Sequence, residues 1–156
     1  MLEGIKNLHF VGIGGVGMSA IAEVMLDKGY EISGSDLSES AVVKHLKAKG
    51  ATIYKGHDAL NVEGKEALVL SSAIHQDNPE LVAAKAKGLK LFHRSDILAY
   101  LLNDAKGIAV AGAHGKTTTS SMISVVLEHA KVDPTILIGG FVDYLKAMQN
   151  LVNPII

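Results

Sequence analysis

Two glycine turns constrain this chain more than any other feature. The first, Gly12-Ile13-Gly14-Gly15-Val16-Gly17, follows the apolar run Leu8-His9-Phe10-Val11 and opens a helical pattern. The second, Gly112-Ala113-His114-Gly115-Lys116-Thr117-Thr118-Thr119, follows Ile108 to Ala111 and opens another. A strand that ends in a glycine turn and passes straight into a helix aims the helix's free N–H groups at the turn. That geometry suits an anion. It also belongs to a parallel sheet whose strands are joined by crossover helices.

The rest of the sequence agrees with such an architecture. Met18, Ile21, Ala22 and Met25 share one helix face, and Gly29 can end that helix. Strands are expected over Tyr30 to Ser33, Thr52 to Tyr54, Ala67 to Leu70 and Leu89 to Phe92. Helices are expected from about Glu39 to Lys49 with Ser38 as cap, from Asn78 to about Lys87, and from a Ser95 cap to about Asn103. Asn78-Pro79-Glu80 has the chemistry of a helix start: a capping amide, a proline in the first turn and an acid against the dipole. Short apolar strands alternating with helices imply a sheet covered on both faces. The expected fold is therefore α/β: a Rossmann-like parallel sheet flanked by helices over 1–104, then the start of a P-loop ATPase domain over 105–156. In that second part Ile108 to Ala111 reads as a strand, Lys116 to about Ala130 as a helix, and Thr135 to Ile138 as one more strand before Gly139-Gly140. The segment from Phe141 to Ile156 has no clear assignment.

Composition narrows the function. Fifteen basic residues face sixteen acidic ones across 156 residues, for a formal charge of −1. That leaves no basic excess for a polyanion, so nucleic acid is a poor partner. Arg94 is the only arginine, and there is no cysteine. Disulfides, thiolate metal sites and a cysteine nucleophile are excluded, which fits a reducing compartment. No apolar run approaches the roughly 20 residues of a membrane span, and residues 1–7 lack a signal-peptide layout. A soluble, cytoplasmic protein is expected.

The first turn satisfies G-x-G-x-x-G at Gly12, Gly14 and Gly17. Gly12 permits the tight turn, Gly14 lets backbone approach a diphosphate, and Gly17 is expected to allow close helix–strand packing. Asp36 lies 19 residues past Gly17, at the end of the second expected strand, where it can accept from a ribose hydroxyl. The glycines do not say which nucleotide binds.

In the second turn, Gly115-Lys116-Thr117 is the G-K-[ST] end of a P-loop. The full pattern needs glycine at 110, where this chain has Val110, so the loop is a shortened variant. Gly112, Ala113, His114, Gly115, Lys116, Thr117 and Thr118 form the candidate ATP-phosphate site. Backbone N–H groups around Ala113 to Thr117 cradle phosphate oxygens. Lys116, the candidate catalytic residue, reaches the β- and γ-phosphates, and the Thr117 hydroxyl can ligate Mg²⁺. His114 either touches nucleotide or metal or shapes the loop. A lysine opening a helix opposes the macrodipole, which argues against an ordinary solvated side chain there.

These turns, taken with three further motifs, resemble the Mur ligase family. The stretch from Phe10 to Glu23 carries the resemblance, with Ser33-Gly34-Ser35-Asp36, Ser71-Ser72-Ala73-Ile74, Asp77-Asn78-Pro79-Glu80 and Gly112 to Thr119, in matching order between about Leu8 and Gly140. The resemblance implies an ATP- and Mg²⁺-dependent amide ligase of peptidoglycan synthesis that joins L-alanine to UDP-N-acetylmuramate through an acyl phosphate. It implies that Gly14, Gly15, Val16 and Gly17 meet the UDP diphosphate. It also implies that Asp36 and the turn Ser71, Ser72, Ala73, Ile74 border the uridine. Arg94, before a capped helix, either reaches a phosphate with its fork or is a surface arginine. The other histidines, His9, His45, His57, His75, His93 and His129, have no ligand-like spacing and read as scattered. Family members are far longer, and 141–156 does not match what the family has there, so the chain as given is expected not to ligate. Two rivals remain. A nicotinamide-dependent oxidoreductase explains the first turn but leaves Lys116 idle, and a nucleotide-sensing module binds without chemistry.

Overall fold

The computed structural model describes residues 1–138; Gly139-Gly140 and the segment 141–156 lie outside them. The chain divides into two compact units, Met1–Ala105 and Lys106–Ile156.

The first unit is a parallel sheet of β1 (Asn7–Val11), β2 (Glu31–Asp36), β3 (Thr52–Lys55), β4 (Ala67–Leu70) and β5 (Lys90–His93), with helices α1 (Val16–Asp27), α2 (Ala41–Ala48), α3 (Pro79–Ala86) and α4 (Arg94–Asn103). The strand order is β3-β2-β1-β4-β5. β1 is therefore central, with Val11 beside Ser35 of β2 and Phe10 beside Val69 of β4. Leu8, His9, Phe10 and Val11 are fully buried, as a strand covered on both faces must be. Val11, Leu68, Leu81 and Ala84 form a core cluster with Val62, which closes the short 3-10 helix Ala59–Val62. The order reverses between β2 and β4 on either side of β1. That switch point opens a crevice at the carboxyl ends of the strands, where ligands of open α/β sheets bind.

The strand and helix pattern expected for this unit is present, with two different caps. α2 is capped by Ser40, whose Oγ accepts from Val43 N at 3.3 Å, rather than by Ser38. Ser38 instead donates from both N and Oγ to Asp36 Oδ1. α4 is capped by His93 rather than Ser95. His93 Nδ1 accepts from Ser95 N, and His93 N donates to Asp96 Oδ2 at 2.7 Å, a capping box with an imidazole in the hydroxyl's place.

The second unit contains helix α5 (Lys116–His129). The strands expected at Ile108 to Ala111 and Thr135 to Ile138 are not formed. A strand exists by its ladder, and neither segment has a pairing partner among the described residues; Ile108 is 60% exposed. Ile136 and Ile138 are buried instead against Val125. Among the described residues, no helix is long and apolar enough to cross a membrane.

Candidate nucleotide-binding turns

The first turn stands at the switch point and is held from β2. Gly12 N and Ile13 N both donate to Ser35 O, at 2.8 and 3.0 Å. Gly12 sits at φ +74°, a left-handed conformation that glycine adopts without steric cost. Gly14 N donates to Asp36 Oδ2 at 2.8 Å. A Cβ at Gly14 would lie 2.7 Å from that oxygen and 3.1 Å from Val43 Cγ2. The absent side chain at Gly14 is thus needed first by the protein's own brace. Asp36 is not a bare acceptor at a strand end: Oδ2 holds the turn and Oδ1 holds Ser38. Oδ1 accepts twice from Ser38, whereas Oδ2 accepts once and retains a further lone-pair direction for a ligand.

α1 has Gly15 as its N-cap, with no side-chain cap and no acid in its first turn, and the carboxylate nearest its positive end is that of Asp36 on Gly14 N. Gly17 was expected to allow close helix–strand packing. The structure gives it another role. A Cβ there would run into the guanidinium of Arg94, with Cζ at 3.2 Å and Cδ at 3.3 Å. Arg94 lies across the start of α1, and among the described residues its side chain has no hydrogen-bond or ion-pair partner. An unpaired guanidinium over an uncapped helix start has the charge and the donors that an anion requires. The Ser71–Ile74 turn arrives at the same place: Ile74 Cδ1 would be 3.5 Å from a Cβ on Gly12. Ala73 N donates to Ser71 Oγ, which folds the turn onto itself. The structure thus gathers Gly14 to Gly17, Asp36, Ile74 and Arg94 around one crevice.

The second turn is exposed throughout 111–119. Gly115 caps α5 at φ +76° with no side-chain hydrogen bond, and Gly112 sits at φ +153°. Lys116 Nζ donates to Gly112 O at 2.5 Å and to Ala113 O at 3.1 Å. The ammonium therefore occupies the loop's own concavity, where a phosphate would otherwise provide its counter-charge. The Thr117 and His114 side chains have no partner among the described residues. An uncapped helix start, a lysine folded over the loop and a free hydroxyl fit ATP phosphates. Among the described residues of this loop, the Thr117 hydroxyl is the oxygen whose chemistry and position suit Mg²⁺.

Beneath the first turn lies a cluster the sequence reading missed. Glu80, the second residue of α3, is fully buried. It accepts from Ser35 Oγ at 2.6 Å, Asn61 Nδ2 at 2.7 Å, His57 Nδ1 at 2.9 Å and His9 Nε2 at 3.4 Å. Burial alone pushes its carboxyl up, but the four donors together hold it down at about 2. Among the histidines read as scattered, His9 and His57 meet here, His45 bonds the buried Glu23 and His93 caps α4. Spacing could not show this, because His9 and Glu80 are 71 residues apart. The available signal was Glu80 beside Asn78-Pro79, read there as an acid against the helix dipole and no more.

Comparison with known proteins follows this geometry. The model of the Mur ligase family, catalytic domain, matches residues 7–106. The chain belongs to the Mur ligase family. Among its Mur ligase relatives, a UDP-N-acetylmuramate–L-alanine ligase of Hydrogenobaculum sp. is 57% identical over 138 residues, 88% of this chain and 31% of that protein. The enzyme of the same name from Koribacter versatilis is 51% identical over 151 residues, 97% of this chain and 32% of the relative. A crystal structure of UDP-N-acetylmuramate-alanine ligase from Thermotoga maritima superposes with a TM-score of 0.81 at 35% identity, covering 88% of this chain and 33% of that one. A murein peptide ligase from Psychrobacter arcticus gives 0.83 at 27% identity, covering 95% and 32%. The chain therefore spans about a third of the length of these Mur ligases.

Proposed function

We propose that this chain carries the nucleotide-substrate end of a UDP-N-acetylmuramate–L-alanine ligase, an ATP-dependent carboxylate–amine ligase of peptidoglycan synthesis. The observation that carries the reading is the identity of 51–57% to ligases of that name over nearly the whole chain. The relatives at that identity all carry the alanine ligase's name, so L-alanine is favoured over a recycled peptide as the amine. Such a step, drawing on ATP, belongs in the cytoplasm and needs neither nucleic acid nor a membrane.

In this reading residues 1–104 bind UDP-N-acetylmuramate. Gly14 and Gly15, whose own N–H groups bond Asp36 Oδ2 and Gly12 O, bend the chain around the diphosphate, Val16 and Gly17 offer it their backbone N–H groups at the end of α1, and Arg94 closes over it. Asp36 and Ser71 to Ile74 border the uridine. Residues 105–156 begin the ATP-binding domain. The lactyl carboxylate attacks the γ-phosphorus of ATP and ADP leaves; the amine of L-alanine then attacks the acyl phosphate, forming the amide and releasing inorganic phosphate and a proton. Lys116 leaves the carbonyls of Gly112 and Ala113 to meet the β- and γ-phosphates, where charge develops. Thr117 would supply one oxygen to Mg²⁺, and the ion's charge would help neutralise the transferred phosphoryl. His114 and Thr118 complete the loop.

Titration calorimetry with UDP-N-acetylmuramate, and separately with NADH, tests the reading: the UDP-sugar binds and NADH does not. Tighter NADH binding overturns it in favour of an oxidoreductase. Assayed as these 156 residues with ATP, Mg²⁺, UDP-N-acetylmuramate and L-alanine, the chain is expected to release no phosphate above background. Amide formation depends on holding acyl phosphate and amine in attack geometry, which is worth roughly 7–11 kcal/mol.

A further inference from the structure

The Glu80 cluster is a costly way to fill a core. Its donors are two imidazoles, a hydroxyl and an amide, none of them a permanent cation, and a carboxylate taken from water without a counter-ion is favoured less than a well-packed apolar group. Its location suggests a different use. Four segments send a donor to this one carboxylate: β1 through His9, β2 through Ser35, the stretch after β3 through His57, and the 3-10 helix through Asn61. Glu80 itself is fixed by its backbone N–H, which donates to Asn78 Oδ1 at 3.0 Å. The shortest of the four bonds goes to Ser35 Oγ. The same Ser35 offers its carbonyl to Gly12 N and Ile13 N, the amides that open the first glycine turn. The next residue, Asp36, holds Gly14 N.

We propose that Glu80 is a positioning residue for the nucleoside-diphosphate site, setting the glycine turn through Ser35. The buried carboxylate fixes the rotamer and height of Ser35 on β2, Ser35 O fixes Gly12 and Ile13, and these present the following amides to the diphosphate. Glu80 touches no ligand. It acts by keeping the backbone donors in place before the ligand arrives, which lowers the ordering cost of binding. The proposal rests on the reading that Gly14 to Gly17 hold a UDP diphosphate.

The test uses Glu80→Gln and Ser35→Ala with two readouts. Glu80→Gln keeps the shape but puts an amide N–H₂ among donors that it cannot accept from. Ser35→Ala removes the link and leaves the carboxylate its other three donors, so it carries the test should Glu80→Gln fail to fold. By calorimetry well below the melting temperature, each variant should weaken UDP and UDP-N-acetylmuramate by the same factor, about tenfold, and the double variant should be no weaker than the worse single one. A purely structural role lowers the melting temperature and leaves both Kd values unchanged. By amide hydrogen exchange without ligand, Gly12 and Ile13 should exchange faster in both variants, while Phe10 and Leu68 keep their protection. Unchanged Kd values against a binding wild type overturn the proposal and leave the UDP reading standing. If the wild type binds neither compound, the UDP reading fails. The exchange readout then decides the positioning role, and unaltered Gly12 and Ile13 overturn it.

Discussion

Residues 12–17 leave a strand that is hydrogen-bonded on both sides; residues 112–119 leave a segment with no strand partner among the described residues. Both turns open a helix at an uncapped glycine. They differ in what holds them. The first is tied to β2 at Gly12, Ile13 and Gly14, and Gly34 lets β2 come close. A Cβ at Gly34 would lie 2.7 Å from Phe10 O and from Ile13 Cδ1. The second is tied to its own lysine. A phosphate-turn sequence therefore specifies a backbone bend and a helix start. The stiffness of the turn comes from the strands beside it.

The comparison is broken most severely at Lys116. In a full-length ligase carrying these residues, Lys116→Ala should lower turnover by roughly 10²–10³-fold, the usual loss for one charge-stabilising donor. Binding of UDP-N-acetylmuramate should stay within about twofold. Steady-state kinetics beside calorimetry measures both, and parallel losses would make Lys116 structural.

Acid should separate the braced turn next. Glu80 sits at about 2 in the folded chain against the ordinary 4.5. A carboxyl held down by folding stabilises the fold above its unfolded pKa, and that contribution is lost as pH falls through the folded value. The difference corresponds to roughly 3 kcal/mol, lost between about pH 4.5 and pH 2. Denaturant melts should show a decline over that window in the wild type. In Glu80→Gln the decline should be shallower, and an identical slope in the two proteins would deny the carboxylate this role.

A β-branched side chain at Gly14 attacks the brace itself. Gly14→Val should weaken UDP-N-acetylmuramate more than tenfold and cost about 1–3 kcal/mol of stability, as overpacking does, because Asp36 and Val43 already fill that space. A thermal melt with and without ligand reports both effects. Loss of binding at full stability would mean that the ligand, and not Asp36, needs the room.

The smallest effect belongs to Gly17→Ala. The group in the way is the end of a long side chain, so stability should change by less than about 1 kcal/mol. Arg94 must shift, and diphosphate affinity should fall a few-fold, with a weaker salt dependence than in the wild type. Unchanged affinity and salt dependence would place Arg94 outside the anion site.

Much of this was legible because it is local. The strand-to-helix turns, Asp36 at the end of β2 and the Asn78-Pro79 helix start depend on residues within a few positions of one another. Whatever depends on topology was not. Glu80 meets His9 only because β1 lies at the centre of the sheet, and Gly17 answers to Arg94 only because β5 delivers α4 there. The pattern at Ile108 to Ala111 is a good strand pattern, but a strand needs a neighbour, and no local pattern supplies one. The His93 cap was misread because an imidazole at that position does what Ser95 was expected to do.

The central place of β1 has a consequence for how the chain is made. Asn7 to Val11 leave the ribosome before β2 and β4, yet Leu8 pairs with Ala67 on one side and with Ile32 on the other. At roughly 5–20 residues per second, the β4 side of β1 waits about 3–12 s longer than its first residues for a partner. During that interval a largely apolar strand presents an open edge, the kind that templates pairing with other chains. Translation speed between β1 and β4, and the chaperones that meet the nascent chain there, should therefore govern how much of this protein reaches the folded state.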